Sequence, residues 1–76
     1  MTPYMNLNGN SNVEAYEIAG DSITVKFMSG RWQYYLYSSQ RPGSAVVDQM
    51  KNLAQQGRGL NSYISRVVRT NFESKW

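Results

Sequence analysis

The chain of 76 residues contains neither Cys nor His. That removes disulfide frameworks, zinc fingers and every Cys/His catalytic arrangement. The acids are Glu14, Glu17, Asp21, Asp48 and Glu73. They are scattered over what read as turns, helices and strand positions, and no two form an evident general acid–base pair. Nor do they cluster as oxygen ligands, so no metal site is expected. Ser, Thr, Tyr and Lys remain as nucleophiles, and none stands beside a recognisable base. The residue types therefore point to a protein that binds rather than an enzyme, with no cofactor.

The residues suited to binding are basic and aromatic. Tyr35 and Tyr37 lie two apart in a strand-like segment, with Lys26, Arg31 and Gln33 nearby. Aromatic rings on an open sheet face give bases a stacking surface, worth about 1–3 kcal/mol per base, while Lys and Arg hold phosphates. Tyr also favours strands for reasons of packing alone. Arg58, Arg66 and Arg69 extend the basic set, and Arg66 and Arg69 also fit an ordinary solvated helix face. Eight Lys/Arg against five Asp/Glu give a net charge of +3, compatible with a polyanionic partner. A second candidate is the turn from Gln56 to Ser62. Its two glycines permit close backbone approach, and Arg58 adds charge suited to a phosphate or a nucleotide. The same residues fit an ordinary helix connection, with Gly57 as a C-terminal cap and Leu60 packed inward. No GxxxxGK[ST] is present.

The elements that must position these residues are read from period and punctuation. Residues 1–11 are polar and without periodicity, which predicts a flexible arm. Three segments of period-two patterning follow: Asn12 to Ala19, Ser22 to Met28 and Arg31 to Ser38. Gly20-Asp21 and Ser29-Gly30 separate them as two-residue turns, predicting an antiparallel meander. Those turns place Ile18 opposite Ile23 and Tyr16 opposite Val25, then Val25 opposite Tyr34 and Ile23 opposite Leu36. One face then carries Tyr16, Ile18, Ile23, Val25, Phe27, Trp32, Tyr34 and Leu36 as core. The other carries Lys26, Arg31, Gln33, Tyr35 and Tyr37, and a one-residue slip would exchange the faces. After Arg41-Pro42-Gly43 the period becomes helical. Ser44 is a cap candidate, Val46, Val47, Met50, Leu53 and Ala54 form a stripe, and Gly57 ends the helix. A second helix, capped by Asn61 or Ser62, would turn Tyr63, Ile64, Val67 and Val68 inward, with Arg66, Arg69, Thr70 and Glu73 outward. Trp76 is either a free end or a tether onto the core. The expected fold is α+β, one domain over residues 12–76, with two helices covering one sheet face.

From residue 11 onward the pattern resembles the KTSC domain, named for the C-terminus of some lysyl-tRNA synthetases. The matching pieces are Ser11-Asn12-Val13, Val25-Lys26-Phe27-Met28-Ser29-Gly30, Tyr35-Leu36-Tyr37 and Gly57-Arg58-Gly59-Leu60-Asn61-Ser62-Tyr63-Ile64. The Y-x-Y stands about two residues further past Gly30 than in many members, and Ser38 to Gly43 replaces a shorter connector. The chain looks more like short stand-alone members from bacteria and their phages. The resemblance implies a meander followed by helices, with RNA binding as the suggested function. The leading expectation is thus a nucleic-acid module using Lys26, Arg31, Gln33, Tyr35, Tyr37, Arg58, Arg66 and Arg69. Alternatives from the same surface are a protein-interaction module, docking on a host factor or forming a homodimer, and a small anionic-ligand binder at the Gly57–Asn61 turn. No stretch approaches the roughly 20 apolar residues of a membrane span, and the N-terminal segment lacks signal-peptide character, so cytoplasm is expected.

Overall fold

A computed structural model describes residues 1–7, 9 and 11–76. The chain is α+β, with β1 (Thr2–Pro3), β2 (Val13–Ala19), β3 (Ser22–Phe27), β4 (Tyr34–Ser38), α1 (Ser44–Gln56), α2 (Leu60–Tyr63) and β5 (Ser74–Lys75). A π-helical turn, Ile64–Val68, continues directly from α2. The strands form one antiparallel sheet in the order β1-β2-β3-β4-β5. The expected three-stranded meander is its centre, and a two-residue strand adds to each edge.

The first hairpin has the expected register, with Ile18 opposite Ile23 and Tyr16 opposite Val25. Gly20 turns the chain in a left-handed conformation, φ 55°. Further along, a bulge at Glu14 places Val13, not Glu14, opposite Phe27. Strict alternation from Tyr16 would have aimed Glu14 at the core. The extra residue brings in Val13, which is fully buried, and frees the Glu14 carboxylate to reach Lys26 Nζ at 2.9 Å.

The second hairpin departs from the expected register by one residue. Val25 faces Tyr35 and Ile23 faces Tyr37, while Thr24 faces Leu36 and Lys26 faces Tyr34. Phe27 N–H donates to the Gln33 carbonyl at 2.8 Å, leaving Met28 to Trp32 as the loop. Met28 N–H donates instead to the Asn12 carbonyl at 2.7 Å, so the strand has already left its partner before Ser29-Gly30. The longer loop shifts β4 by one position, and with a period of two every side chain of β4 changes face. Tyr35 and Tyr37 belong to the core side, and Tyr34 and Leu36 to the open side.

The core joins Tyr16, Ile23, Val25 and Tyr37 of the sheet to Val47, Met50 and Ala54 of α1 and to Leu60, Ile64 and Val68. Gly43, rather than Ser44, stands at the cap position of α1, and Gly57 ends that helix with φ 77°. Val67, expected inside, is 54% exposed, because Leu60, Ile64 and Val68 at four-residue spacing form the inward row. Helical structure stops at Val68 and does not continue to Glu73.

The first residues are a further correction. Tyr4 is buried in the core, its N–H donates to the Glu14 carbonyl at 3.0 Å, and Leu7 N–H donates to the Gly57 carbonyl at 2.7 Å. Residues 1–7 are thus part of the fold rather than a loose arm, and positions 8 and 10 of that expected arm lie outside the described residues. Trp76 is a tether: its N–H donates to the Tyr34 carbonyl at 2.8 Å, and its ring stacks on Tyr34 at 5.7 Å and 9°. No helix among the described residues is long and apolar enough to cross a membrane.

Candidate functional site

The open face of the sheet does not carry the expected pair of tyrosines. Tyr37 is 1% exposed, too enclosed for a base to stack on it there, and Tyr35 is half-buried beside it. The open face holds Lys26 with Tyr34 and Trp76 in one row across the strands. Lys26 is engaged there. Its hydrogen bond to Glu14, and the carboxylate's charge, hold its pKa above the ordinary Lys value, and its ammonium lies 5.7 Å from the Tyr34 ring centre. Gln33 sits half-buried at the end of the β3–β4 loop.

The slip that takes the tyrosines from the open face builds a different site. A cleft of about 440 Å³ opens between the β3–β4 loop, the end of the π turn and the C-terminal segment. Its aromatic lining is Phe27, Trp32, Tyr35, Tyr37 and Phe72. Phe27 and Phe72 each meet Tyr35 edge to face, at 5.2 Å and 5.1 Å between ring centres, and Tyr37 stacks alongside at 6.5 Å. These are the favoured geometries for aromatic pairs, so the rings brace one another. Its volume lies in the range of small-molecule sites, and the cleft stands open to solvent on one side, so it can seat a small ligand or a nucleotide-sized part of a larger one.

Three cations surround these rings: Arg31 from the loop, Arg69 after the π turn and Lys75 on β5. The Arg31 guanidinium and the Lys75 ammonium lie 5.5 Å and 5.8 Å from the Trp32 ring centre, and Lys75 is 5.4 Å from that of Phe72. No Asp or Glu is among the residues that line the cleft. The ion pair among the described residues, Lys26 with Glu14, is on the open face, so these three charges have no carboxylate partner. Asn12, Ser29, Ser65 and Thr70 add neutral hydrogen-bonding groups. Burial, reinforced by Tyr35, pushes the Tyr37 hydroxyl well above the ordinary tyrosine range and keeps it protonated.

Of the residues singled out from the sequence, Arg31, Tyr35, Tyr37 and Arg69 therefore come together, on the core side rather than the open side. Lys26, Gln33, Arg58 and Arg66 are not among the lining residues. Arg58 lines a separate polar pocket of about 100 Å³ with Tyr4, Asn6, Ser11, Gly59, Asn61 and Ser62. At the adjoining turn, the Leu60 N–H donates to the Tyr4 hydroxyl at 3.3 Å. A Cβ on Gly57 would stand 2.7 Å from Cβ of Met5. The close approach that a glycine permits is made here by the chain's own N-terminal segment. Trp32, Phe72 and Lys75 carry no site signal in the sequence: alternation places Trp32 in the core, and nothing in the spacing draws the last five residues to β4.

Comparison with protein-family models, curated proteins and solved structures gives no match.

Proposed function

We propose that this chain is a binding module that takes a single-stranded nucleic acid, RNA in the first instance, in the cleft between the β3–β4 loop and the C-terminal segment. One observation carries the reading: braced aromatic rings and three cations without carboxylate partners share one cleft that has no acidic lining residue. Rings accept bases of any sequence by stacking, and Arg and Lys hold the backbone phosphates, the combination by which single strands are bound without strict sequence preference. Arg31, Arg69 and Lys75 are the phosphate contacts, and Tyr35, Phe72 and Trp32 the stacking surface. The resemblance to the KTSC domain, with its suggested RNA binding, agrees with this reading. A volume of about 440 Å³ suits one or two nucleotides, with the rest of the strand lying across the surface.

The test is an NMR titration of the labelled protein with a mixed-sequence single-stranded RNA at low salt. Shifts are expected at Arg31, the Trp32 indole, Arg69, Thr70 and Lys75, and not at Lys26 or Arg58. With two or three phosphates engaged on a single strand, the log–log dependence of affinity on salt is about −1.4 to −2. An unchanged spectrum, or affinity independent of salt, overturns the nucleic-acid reading and leaves the cleft to a protein segment.

A further inference from the structure

We propose that Arg69 is the residue that fixes phosphate in the cleft, aimed there by a backbone conformation that an arginine adopts only under strain. The inference rests on the nucleic-acid reading of the cleft and deepens it by naming its anchor. Arg69 follows the π turn with φ 54° and ψ −120°. Asn71 N–H donates to the Val68 carbonyl at 3.0 Å, so Val68 to Asn71 form a tight turn with Arg69 at its first central position. The Arg69 angles match the first central position of a type II′ turn, a position dominated by Gly because a side chain crowds the backbone. Among the described residues one other non-glycine has positive φ, Asn6, of a residue type that tolerates it.

The segment before the turn is irregular in the same place. Ile64–Val68 is wound as a π turn, and Arg69 N–H donates to the Ile64 carbonyl at 2.6 Å. Such insertions into helices recur at functional sites. An uninterrupted helix was expected to turn Arg69 to solvent. The reversal after Val68 sets it, still exposed, at the rim of the cleft with Arg31 and Lys75.

A glycine would meet every backbone requirement of this turn, so the side chain is what the strain supports. Among the described residues the Arg69 side chain is in neither the ion pair nor the side-chain hydrogen bonds, so no polar partner within the fold accounts for an arginine there. A guanidinium held at a cleft edge presents paired N–H donors that match two phosphate oxygens, a geometry an ammonium lacks. Strained residues held in place by their surroundings cluster at ligand clamps, and the direction of inference runs from the observed outlier to its use.

The experiment compares the wild type with Arg69→Gly and Arg69→Lys, by thermal melting and by binding to a 5′-phosphorylated, mixed-sequence single-stranded RNA hexamer. Arg69→Gly is expected to melt higher than the wild type and to bind at least about tenfold more weakly, with the salt slope reduced by about 0.7 as one phosphate contact is lost. Arg69→Lys is expected to keep the slope but recover only part of the affinity. If Arg69→Gly binds as the wild type does, with the same slope, the anchor is refuted while the reading of the cleft stands. If it melts lower, the strain is refuted. If the wild type itself does not bind the hexamer, the nucleic-acid reading fails and the anchor with it.

Discussion

Truncation of Tyr37 and of Leu36 to alanine tests the register on which the cleft depends. In the register that two-residue turns would impose, Leu36 is core and Tyr37 faces out. In the structure Tyr37 is 1% exposed and stacked against Tyr35, while Leu36 is half-buried on the open face opposite Thr24 and Ser74. Removing a fully buried aromatic side chain costs about 3–5 kcal/mol, the range for Phe→Ala in cores. A half-buried leucine with one side open loses about 1 kcal/mol, half the value of full burial. A domain of this length has a stability of about 4–11 kcal/mol, so Tyr37→Ala approaches the whole margin and Leu36→Ala does not. Urea unfolding followed by far-UV circular dichroism reads both, and Tyr37→Leu serves if the alanine variant leaves no folded baseline. The reasoning is refuted if Leu36→Ala is the more destabilising of the two. Tyr35 shares its face with Tyr37, so that result would also take the floor out of the cleft.

Other consequences are equally direct. Burial holds the Tyr37 hydroxyl above its ordinary pKa, so its contribution to stability is complete below about pH 10 and declines as rising pH ionises the unfolded chain first. Tyr37→Phe should therefore lose less stability than the wild type between pH 9 and about pH 11, measured by urea unfolding across that interval; equal losses would place the hydroxyl in solvent. Gly57→Ala puts a side chain at φ 77°, with its Cβ 2.7 Å from Cβ of Met5. A left-handed non-glycine residue costs about 1–2 kcal/mol and overpacking about 1–3 kcal/mol. A total loss of about 2–5 kcal/mol is expected from thermal or urea melts, and a loss of only about 1–2 kcal/mol, the backbone cost alone, would mean that residues 1–7 do not pack on this turn. Lys26→Ala should leave RNA affinity within about twofold, because its ammonium is engaged by Glu14, while Lys75→Ala weakens it and lowers the salt slope; fluorescence anisotropy with labelled RNA distinguishes them.

Much of the architecture was legible in the residues, and the failures have local causes. The alternation from Tyr16 to Phe27 and the glycine at position 20 specified the first hairpin, since a two-residue turn and a buried face demanded the same register. At Glu14 the pattern itself signalled trouble, because strict alternation placed an acid in the core, and a bulge is the backbone's remedy. The second hairpin carried no such conflict: both faces of β4 are rich in aromatics, so Tyr34 and Leu36 suit a core as well as Tyr35 and Tyr37 do. Choice between them was made by the hydrogen bond from Met28 to Asn12, a contact 16 residues distant that no turn signal reports. The two edge strands were invisible for a similar reason, since two residues hold no periodicity.

The charges make the same point about function. A net charge of +3 on 76 residues says little about a partner. What matters is which cations the fold has already engaged. Lys26 is paired with Glu14, Lys51 donates to the Gly20 carbonyl at 2.6 Å, and Arg41 donates to Asn71 at 3.0 Å. Three of the rest, Arg31 from the β3–β4 loop and Arg69 and Lys75 from the C-terminal part of the chain, meet at one aromatic cleft. Solvated cations spread over a surface are screened beyond about 10 Å at 0.1 M salt. Cations gathered around one concave site act together on a ligand, and low-dielectric walls focus their field. A modest net charge therefore coexists with a locally strong site, and the register of β4, rather than composition, brings its aromatic half into place.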